Sequence, residues 1–201
     1  HAIAKSSRSG TQLAVLYVDL DRFKHINDSM GHSTGDQLLK AAGARLRQCV
    51  RDHDTVARVG GDEFTLVVQD VDGEADAEAA AARIIRAFAT PLFLETRQEV
   101  LISPSVGIAM HPRHGHSADD LLKYADTAMY QAKERGRNVW ALYTEDMDTS
   151  ARLRASMSGS LRRALERDEL DVVYQPKLDI ITQRIFGVEA LLRWHSAELG
   201  Q

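Results

Sequence analysis

Cysteine occurs once in the 201 residues, at Cys49, so no intrachain disulfide can form and no cysteine-rich zinc site can be assembled. A reducing, cytoplasmic setting fits. No apolar run approaches the roughly 18 residues that signal a membrane-crossing helix, and no secretory-leader pattern is present. The chain opens on His1 rather than Met, so it reads as a piece of something longer, whose membrane anchor, if any, would lie upstream. Runs of lysine and arginine are also missing, and the formal charge is −4. That balance speaks against nucleic acid or an anionic membrane surface as the main partner, so any recognition of phosphate must be local. Neither internal repeats nor low-complexity segments occur. With 44% hydrophobic and 27% charged residues, the chain is globular and long enough for one well-cored domain plus something smaller.

What the chain does carry is Val59-Gly60-Gly61-Asp62-Glu63-Phe64, set between two segments rich in β-branched and apolar residues, Thr55 to Val59 and Phe64 to Gln69. Gly60-Gly61 between two strands predicts a two-residue hairpin. Glycine tolerates positive φ and lets a ligand approach the backbone closely, so a nucleotide phosphate could lie against this turn. Asp62 and Glu63 beside it suit a divalent metal. The plainer alternative is a solvated polar turn.

A second acidic cluster closes an earlier strand. Leu13 to Leu20 alternates too little for a half-exposed strand, which predicts a central buried one ending in Asp19-Leu20-Asp21. In an extended chain Asp19 and Asp21 share a face, and acids there can build a metal site; an aspartate capping the next helix competes with that explanation. His1 to Gly10 reads as the end of a helix, Phe23 to Met30 as a short helix, and Ser33 to Val50 as a longer one with Ser33 and Asp36 at capping-box spacing. Glu74 to Ala89 is an alanine-rich helix. Strands are expected at Leu92 to Glu95 and Val100 to Met110, flanking a turn at 96–98.

The run from His111 to His116 holds three histidines, yet its proline and glycine make it a surface loop rather than a metal site. A helix then runs from Ser117 to Gly136 on an apolar stripe that includes Leu121, Ala125, Ala128 and Met129. Lys133 lies in its last turn and Arg137 just beyond, positions that the helix dipole alone favours for cations. Val139 to Tyr143 is the closing strand. Thr149 to Arg167, with Leu153, Met157, Leu161 and Leu165 at four-residue spacing, reads as a connector helix. Strands at Asp171 to Lys177 and Arg184 to Trp194 open a second unit. The domain boundaries are therefore drawn at 1–148, 149–168 and 169–201.

Taken together, Asp19-Leu20-Asp21-Arg22-Phe23-Lys24-His25-Ile26-Asn27-Asp28, Gly31-His32-Ser33-Thr34-Gly35-Asp36 and Gly60-Gly61-Asp62-Glu63-Phe64 resemble the GGDEF family of diguanylate cyclases. Tyr130-Gln131-Ala132-Lys133 and Gly136-Arg137-Asn138 fit the same family, and the resemblance runs from about Thr11 to Tyr143. It implies an α/β palm like that of nucleotide cyclases, with a central mixed sheet flanked by helices, and a reaction joining two GTP into cyclic di-GMP with release of pyrophosphate.

The resemblance also implies roles for residues. Asp19 and Asp62, with the Leu20 carbonyl, would hold two Mg²⁺ or Mn²⁺ ions that activate the 3′-hydroxyl and steady the pyrophosphate, Asp62 also taking the proton. Glu63 belongs to the catalytic motif, with its separate role left open by the resemblance. Lys24 would offset charge in the transition state, Asn27 and Asp36 would read the guanine edge, and His32 would lie against the nucleotide. Gly60 and Gly61 would sit near phosphate, with Lys133 and Arg137 on its terminal groups. One GTP per domain implies a homodimer with two domains facing antiparallel. Arg51-Asp52-His53-Asp54 falls where the family keeps an inhibitory product site of the form Arg-x-x-Asp; an ordinary Arg51–Asp54 ion pair is the alternative.

The family's Leu-Thr-Gly-Leu-x-Asn-Arg segment ahead of the first strand is absent, which leaves the coupling to an upstream sensor open. Tyr174-Gln175-Pro176-Lys177 and Val188-Glu189-Ala190-Leu191-Leu192-Arg193-Trp194 look like the opening of an EAL phosphodiesterase, with Glu189 as a metal ligand. About 30 residues fall far short of the ~250 that a barrel needs, so phosphodiesterase activity is not expected from this piece. Three functions fit these readings. They are an active cyclase, favoured by the intact acids, a GTP-binding regulator of a downstream phosphodiesterase, and a cyclic di-GMP receptor using Arg51 and Asp54.

Overall fold

The computed structural model describes residues 2–95 and 98–196, without the side chains of 150–156, 158, 159 and 162. Contacts divide the chain into two compact units between Asp148 and Thr149. The first contains α1 (Ala2–Ser9), β1 (Gln12–Leu20), α2 (Phe23–Met30), α3 (His32–Gln48), β2 (Thr55–Gly60) and β3 (Glu63–Val71). There follow α4 (Glu74–Ala87), β4 (Leu92–Phe93), β5 (Glu99–Val100), β6 (Pro104–His111), α5 (Ala118–Glu134) and β7 (Trp140–Leu142). Five strands form one mixed sheet in the order β2-β3-β1-β6-β7, in which only the β6–β7 pair is parallel among the described residues.

β1 occupies the middle of the sheet because both of its faces are apolar. Ala14, Leu16, Val18 and Leu20 enter the core built with α3 and α4, while Leu13 and Val15 pack with Leu121 and Ala125 of α5 on the other side. Complete burial of a leucine or valine contributes about 1.5–3 kcal/mol, so this strand anchors the fold. The two-residue period also sets the site: Asp19 continues the series Leu13, Val15, Tyr17 and therefore points toward the α5 face. α5 lies unusually close to the sheet at Gly107. A Cβ there would stand 1.9 Å from the Ala125 carbonyl oxygen and 2.1 Å from the Met129 nitrogen, a contact that glycine alone avoids.

Three expectations are corrected. The hairpin loop is Gly61-Asp62 rather than Gly60-Gly61, because Gly60 pairs with Glu63 and a register shift between Arg58 and Gly60 absorbs one residue of β2. The strand expected over Val100 to Met110 is two strands. Pro104 has no amide hydrogen for the ladder, and the Ser103 carbonyl accepts from the Asp21 N–H at 2.8 Å instead. His111 is not on a surface loop: it ends β6 at 4% exposure, with Nδ1 3.2 Å from Ser6 Oγ and Nε2 3.4 Å from Ser7 Oγ of α1. Of the turn expected at 96–98, Thr96 and Arg97 lie outside the described residues.

The second unit carries the greater part of α6 (Glu145–Glu166), followed by β8 (Leu170–Leu178) and β9 (Ile185–Trp194) as an antiparallel pair. The helix begins at Glu145, earlier than the Thr149 expected. Met157, Leu161 and Leu165 are exposed, and the side chain of Leu153 lies outside the described residues. Ile180, Ile181, Phe186 and Val188 are exposed as well, since among the described residues the two-stranded ribbon has no second layer that covers them.

Candidate active site

The register of β1 and β3 brings the two acidic motifs together. Asp19 stands opposite Glu63, and the Leu20 N–H donates to the Asp62 carbonyl at 3.3 Å, so Asp62 sits on the hairpin tip beside the end of β1. Asp19 is only 5% exposed, and Lys133 Nζ of α5 lies 2.7 Å from its Oδ2. Burial pushes the Asp19 carboxyl up from its ordinary range; Lys133 opposes this, and Asp62 and Asp21 reinforce it. Tyr17, one period earlier on the same face, donates its hydroxyl to Glu63 Oε2 at 2.9 Å. Burial, then that hydrogen bond, pushes the Tyr17 phenol up to about 12.

Asp21, two residues on, has a different environment. Its carboxylate accepts from Ser103 Oγ at 2.6 Å, Ser105 Oγ at 2.7 Å and the Asn138 N–H at 3.1 Å. It does not cap α2, whose N-terminal neighbour is Arg22 at φ +60° with no side-chain cap. Asp21 ties the end of β1 to β6 and to the turn after α5.

The residues expected around the nucleotide lie on α2, α3 and the turn after α5. Lys24, His32, Asp36 and Arg137 are exposed, and Asn27 is half-buried. Asn27 packs against Gly35, where a Cβ would meet its Oδ1 at 1.8 Å, and that oxygen is buried with no hydrogen-bond partner among the described residues. α3 is preceded by Gly31 with no side-chain cap, so Ser33 and Asp36 do not form the capping pair that their spacing suggested. Arg137, with Asp21, Arg22, His25 and Asn138, lines a cavity of about 380 Å³.

At the Arg-x-x-Asp sequence the carboxylate of Asp54, 5% exposed, accepts from the backbone N–H groups of Arg51 and Gln69, each at 2.9 Å. No Arg51–Asp54 ion pair forms. Arg51 is exposed, and its guanidinium makes no ion pair or hydrogen bond among the described residues. In the second unit Glu189 stands opposite Gln175 and pairs with Lys177 at 3.3 Å.

Asp126 of α5 lies off the apolar stripe that marks this helix in the sequence and is not among the residues expected at the site. Its side chain reaches solvent, yet partial desolvation raises its carboxyl, Glu63 and Asp19 add to the rise, and Lys133 opposes it. The spacing of seven residues between Asp126 and Lys133, two helical turns, was the available signal. Among the described residues no three histidine, cysteine or acidic side chains form a ready-made metal cage. The carboxylates of Asp19 and Asp62 and the Leu20 carbonyl are hard oxygen donors, the kind that suits Mg²⁺ or Mn²⁺ sharing its shell with phosphate and water. Among the described residues no helix is long and apolar enough to cross a membrane.

Comparisons with known proteins bear on the family of the chain. A family model described as diguanylate cyclase, GGDEF domain, matches residues 1–139, and an EAL domain model matches 158–201. MucR of Pseudomonas aeruginosa, named a bifunctional diguanylate cyclase/cyclic di-GMP phosphodiesterase, is 41% identical over 199 residues, covering 99% of this chain and 29% of MucR. PdeR of Escherichia coli, named a cyclic di-GMP phosphodiesterase, is 41% identical over 202 residues, 100% of this chain and 30% of PdeR. The chain thus spans less than a third of these curated relatives. The solved GGDEF domain of YfiN (TpbB) from Pseudomonas aeruginosa superposes with a TM-score of 0.72 at 38% identity, covering 75% of this chain and 88% of that one. The GGDEF domain of DgcB from Caulobacter crescentus, solved in complex with cyclic di-GMP, gives 0.62 at 26% identity over 70% of this chain and 83% of that one. With its motifs in order and its sheet bringing Asp19 to Asp62, the chain belongs to the GGDEF diguanylate cyclase family and runs on into the start of an EAL domain.

Proposed function

We propose that this chain condenses two GTP into cyclic di-GMP with release of pyrophosphate, each GGDEF domain presenting one GTP to a second copy facing it antiparallel. The observation that carries this reading is the meeting of Asp19 with Asp62-Glu63 across the β1–β3 ladder, under the Lys133 cation. A buried carboxylate beside a second acid and a backbone carbonyl fits two Mg²⁺ or Mn²⁺ ions, held by Asp19, Asp62 and Leu20. Such ions supply Lewis acidity that favours ionisation of the 3′-hydroxyl and offsets charge on the leaving pyrophosphate.

The protein groups do the rest. Asp62, at the hairpin tip, accepts the hydroxyl proton, and Tyr17 holds Glu63 in orientation through its hydrogen bond. Lys24, Lys133 and Arg137 bring positive charge to the phosphates. Half-buried Asn27 and the exposed carboxylate of Asp36 meet the guanine edge, with His32 alongside. Arg51, exposed and with no partner for its guanidinium among the described residues, supports an inhibitory product site outside the metal cluster.

Incubation with GTP and Mg²⁺ over a range of protein concentrations, with GTP, the linear intermediate and cyclic di-GMP resolved by chromatography, tests the proposal. Cyclic di-GMP should form at a rate per chain that rises with protein concentration. GTP left intact under all conditions would overturn it. A second reading, a GTP-binding regulatory module, is favoured by the match along the whole chain to PdeR, which is named a phosphodiesterase. It requires GTP binding without turnover, which the same assay separates.

A further inference from the structure

A buried carboxylate needs a counter-charge, and Asp19 has one within the protein: the Lys133 ammonium at 2.7 Å, on a side chain that is itself 28% exposed. The backbone of α5 is not free to withdraw that charge. Ala125, Ala128 and Ala132 are fully buried beneath the helix, and Gly107 admits it to direct contact with the sheet. The flexible lysine stem can move where the helix cannot. The other titratable groups facing the pair are Asp62 and Asp21 at the sheet end, Asp126 on α5 itself, and the neutral phenol of Tyr17 one period earlier on β1; Glu63 of β3 acts on Asp126 and Tyr17. Asp21 is already satisfied by neutral donors, so Asp19 is the buried acid whose partner can be exchanged.

We propose that Lys133 is the resident counter-ion of the metal site: it holds Asp19 until a divalent cation takes its place, and that exchange frees the ammonium to move onto a phosphate of the substrate. The inference rests on the cyclase reading, which makes Asp19 a metal ligand. Metal alone must then compete with the lysine and binds weakly. Metal together with a phosphate binds better than either alone, because the displaced ammonium finds a new anion and no buried charge is left uncompensated.

The test uses the 201-residue chain without nucleotide and follows free Mn²⁺ by electron paramagnetic resonance. Lys133→Met should bind Mn²⁺ roughly tenfold more tightly than wild type, since removal of a competing unit charge a few ångströms away is worth at least that much. Lys133→Gln, which keeps a hydrogen-bonding group without the charge, should also gain. In EDTA, Lys133→Met should melt roughly 5 °C lower and recover more on addition of Mn²⁺ than wild type does. In an Asp19→Asn background the lysine change should leave Mn²⁺ binding where it was. An equal gain in that background would mean diffuse electrostatics and would overturn the proposal. Equal Mn²⁺ affinity in wild type and Lys133→Met would also overturn it, leaving the cyclase reading to stand on GTP turnover. Absence of Mn²⁺ binding in every variant would overturn it too, with the cyclase reading still decided by GTP turnover.

Discussion

The two sides of the end of β1 treat buried aspartates in opposite ways. On the α5 side Asp19, 5% exposed, meets a charged and flexible lysine. On the side of β6 and the α5–β7 turn Asp21, 6% exposed, is held by two serine hydroxyls and a backbone N–H. Short neutral donors fixed by the fold make a permanent structural contact, whereas a long cationic side chain with access to water makes an exchangeable one. Asp54, with its two backbone donors, belongs to the first kind. Burial therefore does not by itself single out Asp19 from Asp21 and Asp54; the character of its partner does.

The largest expected effect tests that division directly. Asp62→Asn and Asp19→Asn should each lower cyclic di-GMP synthesis by roughly 10⁴-fold or more, because a metal-binding charge is lost with shape retained. Asp19→Asn should change stability by no more than about 1 kcal/mol, since the Lys133 head can reach solvent. Asp21→Ala should instead cost about 3–5 kcal/mol by stranding three donors. Denaturant melts beside turnover assays decide it. An Asp21→Ala protein as stable as wild type, or an active Asp19→Asn, would break the comparison.

Base selection comes next in size. Asn27 has a buried oxygen that awaits a donor, and Asp36 is free of the capping role that its spacing suggested. A site that leaves such groups unpaired with the wrong base can discriminate by up to roughly 10⁴-fold, so GTP should be used in strong preference to ATP. Competition of the two nucleotides for one enzyme sample measures the ratio. Comparable use of ATP would return Asn27 to a packing role over Gly35.

What was readable in the sequence follows the same line. β1 announced itself because a strand buried on both faces has no polar side to show, and the acids at its end and in the hairpin stood out as residue types that chemistry demands at strand termini. Partners distant along the chain did not show. Lys133 meets Asp19 from another element, and Ser6 and Ser7 meet His111 from about a hundred residues earlier in the chain. Local irregularities were equally silent. The register shift before Gly60 moved the hairpin loop by one residue, and the apolar character of Leu101 and Ile102 hid the break that Ser103 and Pro104 make before β6.

A smaller effect separates Arg51 from Asp54. If Arg51 grips guanine or phosphate of the product, each such charge-assisted bond is worth about 1.5–3 kcal/mol, and Arg51→Ala should weaken inhibition by cyclic di-GMP roughly 10- to 100-fold. Initial rates should barely move. Asp54→Ala should reduce stability as well, because the N–H groups of Arg51 and Gln69 lose their acceptor. Superimposable inhibition curves for wild type and Arg51→Ala would remove the regulatory site while leaving the cyclase.

The smallest effect is expected at His111, which extends the comparison from acids to a base. Its ring, like Asp21, is buried against neutral hydroxyls, and no carboxylate is positioned to stabilise a protonated form among its described partners. Burial, then neighbouring His116, holds its pKa below the ordinary value of 6.5. His114 is lowered as well, by burial and then Arg113, and its Nδ1 accepts the Met110 N–H at 2.9 Å. The folded state therefore binds fewer protons than the unfolded state at mildly acidic pH. Stability should be fully present above about pH 6.5 and should fall as the pH drops below it, until the folded rings protonate too. Each histidine can contribute a slope of at most about 1.4 kcal/mol per pH unit. His111→Asn should cost stability at pH 7.5 by loosening α1, yet flatten the decline between pH 6.5 and 5. His116→Asn, at an exposed position, should leave most of that slope in place. Melting curves across the pH range for wild type and both variants carry the test. An unchanged slope in His111→Asn would place the acid sensitivity elsewhere, with His114 the next residue to replace.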